Sequence, residues 1–215
     1  MRKLPFFRFS ILIFILWLSV TVMQAQDFTS VALNDSLFAR MQGLSYPKGC
    51  PVSRADLRWV RVLHYDAKGK VHQGEIVCNK AIADDLVDIF RQLYKAKYPI
   101  ERIRPIDEYG ADDERSMSDN NTSSFCYRTV DGTTRLSKHA TGMAIDINTR
   151  YNPYVRKRNG RLLVSPTNGR PYADRTKSFP YKIKKGDLLY RLFIQHGFRW
   201  GGNWRSMKDW QHFEK

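Results

Sequence analysis

Hydrophobic and polar positions sort most of this chain into elements. Leu33, Leu37, Phe38 and Met41 recur at helical spacing and Gly43 follows as a stop, which predicts a short helix. Leu57 to Tyr65 and Val71 to Cys78 are rich in β-branched and aromatic residues, and Asp66-Ala67-Lys68-Gly69 between them carries turn chemistry, which predicts a hairpin. Asn79 stands as a cap before Ile82, Leu86, Ile89, Phe90 and Leu93, a single helical stripe. Ile100 to Ile106 reads as a strand, and the polar stretch from Asp107 to Cys126 as a loop suited to carry binding groups.

Further on, Met143, Ile145 and Ile147 alternate with Ala144 and Asp146, so a strand there turns its carboxylate away from the apolar face. Asn148 to Lys185 has no long hydrophobic period and reads as an insertion with a small hairpin around Leu162 to Val164. Asp187 caps a last helix bearing Leu188, Leu189, Leu192 and Phe193, and Gly197 ends it. Phe198 to Trp200, a Gly-Gly turn and a segment bearing His212 complete the chain, and no internal repeat is present.

The first 25 residues stand apart. Arg2, Lys3 and Arg8 precede an apolar run from Ile11 to Val22, and Ala25 offers a small residue for cleavage. The run is shorter than the ~20 apolar residues of a membrane span, so it reads as a secretory signal, with no stable span left after its removal. Residues 26–215 then form a single domain, in which 26–99 hold the first helix, hairpin and second helix and 100–215 hold the motifs below.

The formal charge of +15 falls to +12 without Arg2, Lys3 and Arg8, since residues 1–25 contain no acid. For an exported chain this excess favours the cell wall or an anionic membrane surface over nucleic acid. Cys50, Cys78 and Cys126 are too few for a disulfide scaffold and show no C-x-x-C spacing; if one pair closes, Cys50 with Cys78 is preferred.

Chemistry concentrates in Ser137-Lys138-His139-Ala140-Thr141-Gly142-Met143-Ala144-Ile145-Asp146 and in Trp200-Gly201-Gly202-Asn203-Trp204 with Asp209-Trp210-Gln211-His212-Phe213. His139, Asp146 and His212 form a candidate site for one Zn2+, because two imidazoles and one carboxylate leave a tetrahedral position open for water. His139 and Asp146 are seven positions apart, so the chain must fold back between them, which Gly142 permits. Ser137 is placed to bond within that turn or to a ligand. Asp209 precedes His212 by three, which predicts a turn that brings both to the metal, with Asp209 as the base that takes the proton of the attacking water. His64, His72 and His196 read as packed or surface residues.

These residues resemble the zinc D-alanyl-D-alanine carboxypeptidase family, which includes VanY-type enzymes and phage endolysins that cut L-alanyl-D-glutamate bonds. The family pattern S-x-H-x-x-G-x-A-x-D is met by Ser137, His139, Gly142, Ala144 and Asp146, and its W-G-G-x-W and D-x-x-H-F patterns by Trp200 to Trp204 and Asp209 to Phe213. The resemblance weakens upstream through Arg115-Ser116-Met117 and Asn120 to Arg128, and in all spans Ile100 to the end. It implies an α+β fold, a small mostly antiparallel sheet with helices packed on one side and the zinc on the open side (hedgehog/DD-peptidase-like). It also implies an arginine for the substrate carboxylate or the developing oxyanion, Arg128 before Arg115, with Ser124 and Ser137 near the substrate. Asp209, where carboxypeptidases carry glutamate, inclines the reading to an endopeptidase. The expected protein is a secreted or periplasmic, monomeric zinc peptidase acting on peptidoglycan stem peptides. Its rivals are a zinc-containing wall-binding protein without catalysis and a basic nucleic-acid-binding domain.

Overall fold

A computed structural model of the chain describes residues 27–130 and 132–215. The expected signal, residues 1–25, lies outside the described residues. In chain order the elements are β1 (Thr29–Ala32), α1 (Asp35–Met41), β2 (Leu57–Tyr65), β3 (Val71–Asn79), α2 (Lys80–Lys95), β4 (Arg102–Ile103), α3 (Asp113–Ser118), β5 (Asn121–Thr122), β6 (Ala144–Asp146), β7 (Tyr154–Arg158), β8 (Arg161–Ser165), α4 (Leu188–Gln195), β9 (Arg199–Trp200), β10 (Lys208–Asp209) and β11 (His212–Glu214). Short 3-10 turns link several of them, one of which, Lys138–Thr141, carries a site residue.

The fold is α+β, but the single sheet expected from the sequence is divided. β1-β2-β3, β10-β7-β8 and β6-β11-β9 form three small antiparallel sheets, and β4 pairs with β5 in parallel. The longest hairpin, β2–β3, holds nine consecutive cross-strand pairs from Leu57↔Asn79 to Tyr65↔Val71. Its inward side chains Val60, Val62, Ile76 and Cys78 meet Ile82, Leu86, Ile89, Phe90 and Leu93 of α2. Asn79 starts that helix by accepting the N–H of Ala81. Ile145, Ile147, Phe193, Phe198 and Phe213 complete the same core, so both halves of the chain share it.

Three expectations need correction. Ile100 to Ile106 is strand only at Arg102–Ile103, because Pro99 and Pro105 flank the segment and lack the N–H a longer ladder requires. The expected loop from Asp107 to Cys126 contains α3, which Asp112 caps by accepting the N–H of Arg115, with Asp113 and Glu114 against the helix dipole. No Cys50–Cys78 disulfide forms. All three thiols are free, Cys78 lying in the main core while Cys50 packs against a separate cluster around Leu37, Met41 and Phe125.

One buried histidine couples this core to pH. His64, on β2, is 3% exposed, and its Nδ1 lies 2.7 Å from the carbonyl of Ile100. Burial drives its pKa down to about 4, with the Ile100 carbonyl pulling the other way and the stacked His72 ring adding to the fall. The folded chain therefore holds His64 neutral where the unfolded chain protonates it. Stability is full above the unfolded value near 6.5 and falls towards pH 4, by up to about 1.4 kcal/mol per pH unit. Denaturant unfolding at pH 7 and pH 4.5 should show this loss, and a His64→Gln chain should show less of it.

Candidate metal centre

Asp146 and His212 are brought together by strand register. β6 and β11 run antiparallel with His212 directly opposite Asp146, and the other edge of β6 is held by mutual backbone bonds between Asp146 and Ser123. His139 arrives from the 3-10 turn Lys138–Thr141, which Ser137 caps by accepting the N–H of His139. The expected reversal falls at Gly142, with φ +68 and its N–H donating to His139 O. A second constraint also demands glycine, since a Cβ there would sit 2.6 Å from the backbone nitrogen of Asn79. Asn79 donates its side-chain amide to Thr141 O and its backbone N–H to Gly142 O, so the cap of α2 also fastens the turn that delivers His139.

The donor atoms converge. His139 Nε2 lies 3.2 Å from His212 Nδ1 and 3.2 Å from Asp146 Oδ2, and His212 Nδ1 lies 2.9 Å from Asp146 Oδ1. Ligands about 2.0–2.1 Å from a tetrahedral zinc stand roughly 3.3 Å apart, so these separations fit the edges of its coordination tetrahedron. The outer nitrogens complete the case. His139 Nδ1 faces the carbonyl of Ser124 at 2.7 Å, and His212 Nε2 faces Glu214 Oε2 at 3.3 Å. If each outer nitrogen carries the proton, two imidazole lone pairs and a carboxylate point at one another, and only a cation reconciles them.

Charge tells the same story. Burial opposes the protonation of His212, yet its bonds to Asp146 and Glu214 outweigh that and lift its pKa to about 10. Burial likewise raises the Asp146 carboxyl, but the charge and hydrogen bond of His139, joined by His212, hold it well below the usual carboxylate range. The pocket favours positive charge.

Asp209 ends β10, the chain bends at Trp210 and Gln211, and His212 opens β11, so the expected turn is a passage from one sheet to another. Gly201 sits between the two, because a Cβ on it would lie 2.8 Å from Asp209 Cβ and 3.3 Å from His212 Cβ. Asp209 Oδ1 is shut off from solvent and has no hydrogen-bond partner among the described residues. Burial, and then the charge of Asp146, raise its carboxyl to about 7. The ring of Trp204 stands 5.3 Å from that of His212 and walls one side.

The remaining candidates divide. Arg128 Nε approaches Asp113 Oδ2 to 2.6 Å, as an ion pair without hydrogen-bond alignment. Burial lowers the pKa of that guanidinium, but Asp113 and Asp146 more than compensate, so Arg128 stands within the electrostatic reach of the metal ligands. Arg115 is exposed on α3, its side chain beside Gly110. Ser124 is buried, with its hydroxyl donating to Ala144 O and its carbonyl against His139, while Ser137 caps the His139 turn. Both serines hold His139 in place here. His64, His72 and His196 all lie outside the group formed by His139, Asp146 and His212.

Two further residues were not read from the sequence. Glu214 follows His212 by two on a strand, which puts both on one face, and Arg199 anchors its other oxygen at 2.9 Å. That period-2 spacing was the available signal. The pairing of Asp113 with Arg128, rather than with the nearer Arg115, depends on how α3 packs.

The α+β fold gathers a His-Asp-His group able to hold a metal ion, with the Asp209 carboxylate beside it, an arrangement suited to metal-dependent hydrolysis. Residues 131–215 match the family model described as D-alanyl-D-alanine carboxypeptidase, a family of zinc peptidases. The match supports a zinc metallopeptidase, and it contains Ser137, His139, Asp146, Asp209 and His212 but not Arg115, Ser124 or Arg128. No curated protein and no solved structure matches the chain.

Proposed function

We propose that this chain is a zinc peptidase that hydrolyses peptidoglycan stem peptides, working as a monomer in the periplasm or after secretion. The observation that carries the reading is the convergence of His139 Nε2, His212 Nδ1 and the Asp146 carboxylate within 3.2 Å of one another, with a carboxyl poised near neutrality alongside. Zinc held there would supply a Lewis acid that polarises a scissile carbonyl and acidifies water.

The chain's own groups supply the rest. Asp209 takes a proton from the attacking water and returns it to the leaving amine, a task suited to a carboxyl near pH 7. Arg128 receives the negative charge of the substrate or of the developing oxyanion, and Asp113 holds the guanidinium in place. Arg115 is the second candidate for that charge. Ser124, through its carbonyl, fixes the ring of His139 so that Nε2 faces inward. Within this reading the hedgehog/DD-peptidase-like arrangement corresponds to the β6-β11-β9 sheet with its ligands, and aspartate at the base position inclines the reading towards an L-alanyl-D-glutamate-type endopeptidase, with a D-alanyl-D-alanine carboxypeptidase as the alternative.

Incubation of the zinc-loaded protein with one defined muropeptide, followed by mass spectrometry, tests this. A product is expected that disappears with a chelator and returns with zinc. Loss of a single terminal D-alanine identifies a carboxypeptidase, and cleavage behind the L-alanyl residue identifies an endopeptidase. Binding of the muropeptide without any product would overturn the reading in favour of a wall-binding protein.

A further inference from the structure

The hairpin of β7 and β8 has no task in the chemistry above. Between Asp146 and Asp174 the sequence holds no acidic residue and six basic ones, Arg150, Arg156, Lys157, Arg158, Arg161 and Arg170. Asn159 and Gly160 close the ribbon with φ of 49 and 74, the two-residue turn whose twist suits a hairpin. Only the root is packed. Val155 and Val164 oppose each other and are each 8% exposed, and β10 pairs with Tyr154 and Val155 alone. Beyond them Arg156, Lys157, Arg158 and Arg161 are exposed, and Leu162 and Leu163 stand 44% and 46% open. Neighbours on a strand point to opposite faces, so an apolar side chain projects from each side of a cationic ribbon.

Exposed leucines on an edge strand invite association unless something covers them. A soluble polyanion would neutralise the basic groups and leave the leucines in water. A bilayer with anionic headgroups answers both, phosphates taking the cations and the interfacial region taking the leucines. We propose that the tip of this hairpin docks on the surface of an anionic phospholipid membrane. β7 is rooted at the metal centre, since Tyr154 is the register partner of Asp209. Arg158 at the tip lies four residues further on, about 13 Å at ~3.3 Å per residue, so docking keeps Asp209 close to the lipid surface. The docking holds whether or not the centre cuts wall peptides.

Peptide-resolved hydrogen exchange of the full chain tests this, because a local readout separates the hairpin from the apolar run Ile11 to Val22. With vesicles of phosphatidylglycerol and phosphatidylcholine, amides of residues 156–163 should exchange about tenfold more slowly, and with phosphatidylcholine alone they should not change. The double variant Leu162→Ser, Leu163→Ser should lose the protection, while unchanged exchange in residues 57–95 shows that it is folded. Absence of protection by anionic vesicles overturns the proposal. So does equal protection by soluble polyphosphate, which assigns the ribbon to a polyanion in solution, or equal protection of the leucine variant, which leaves the leucines no contact with the lipid.

Discussion

Zinc affinity should collapse in a His212→Ala chain, by well over the roughly 10- to 100-fold that loss of an outer partner costs. The site offers three donor atoms, and His212 Nδ1 lies against both others, at 3.2 Å from His139 Nε2 and 2.9 Å from Asp146 Oδ1. Its loss leaves one imidazole and one carboxylate, a pair with no tetrahedral preference to enforce. Glu214 supplies the internal comparison. It touches only the outer nitrogen of His212 and is itself tied to Arg199, so Glu214→Ala should weaken zinc by about 10- to 100-fold and Glu214→Gln, which still accepts a hydrogen bond, by less. Competition against a chromophoric chelator, with circular dichroism to verify folding, ranks the variants. Parent-like affinity in His212→Ala would show that zinc does not bind at these residues.

That His139, Asp146 and His212 gather in one place was legible from the linked motifs that carry them, whereas the groups that aim their side chains were not. The β2–β3 hairpin and α2 follow the predicted bounds closely, since their apolar periods run long enough to outvote local exceptions. β4, β5 and α3 are too short to show a period and are fixed by contacts from elsewhere. Asn121, for example, accepts the N–H of Arg104 and donates to its carbonyl, pinning β5 beside β4 across 17 residues. Asn148 does the same between Pro99 O and the N–H of Glu101, and Asn152 gathers Asn148 O, Tyr181 O and the N–H of Ile183. Such buried amides replace missing ladder bonds in loops, and a polar stretch of sequence does not reveal which of its asparagines will do so. Cysteine pairing was misjudged for a related reason, as nearness in sequence says nothing about which of two cores a thiol enters.

Asp209→Asn should lower turnover by about 10²- to 10⁴-fold while leaving zinc affinity nearly unchanged. Asparagine keeps the shape that fits against Gly201, where even a methyl group would crowd the Asp209 side chain at 2.8 Å, so packing and the neighbouring His212 are spared. What it removes is a proton acceptor. In the parent, Oδ1 is closed to solvent and unpartnered among the described residues, and burial together with the charge of Asp146 holds the carboxyl at about 7. A carboxyl so placed gains most from accepting a proton during the reaction, which predicts a fall in kcat with little change in KM. Measuring zinc binding on the same sample separates this from damage to the metal site. Parent-like turnover in Asp209→Asn would move the base elsewhere, and Asp113 would be the next carboxyl to test, although its ion pair with Arg128 already commits it to holding that guanidinium.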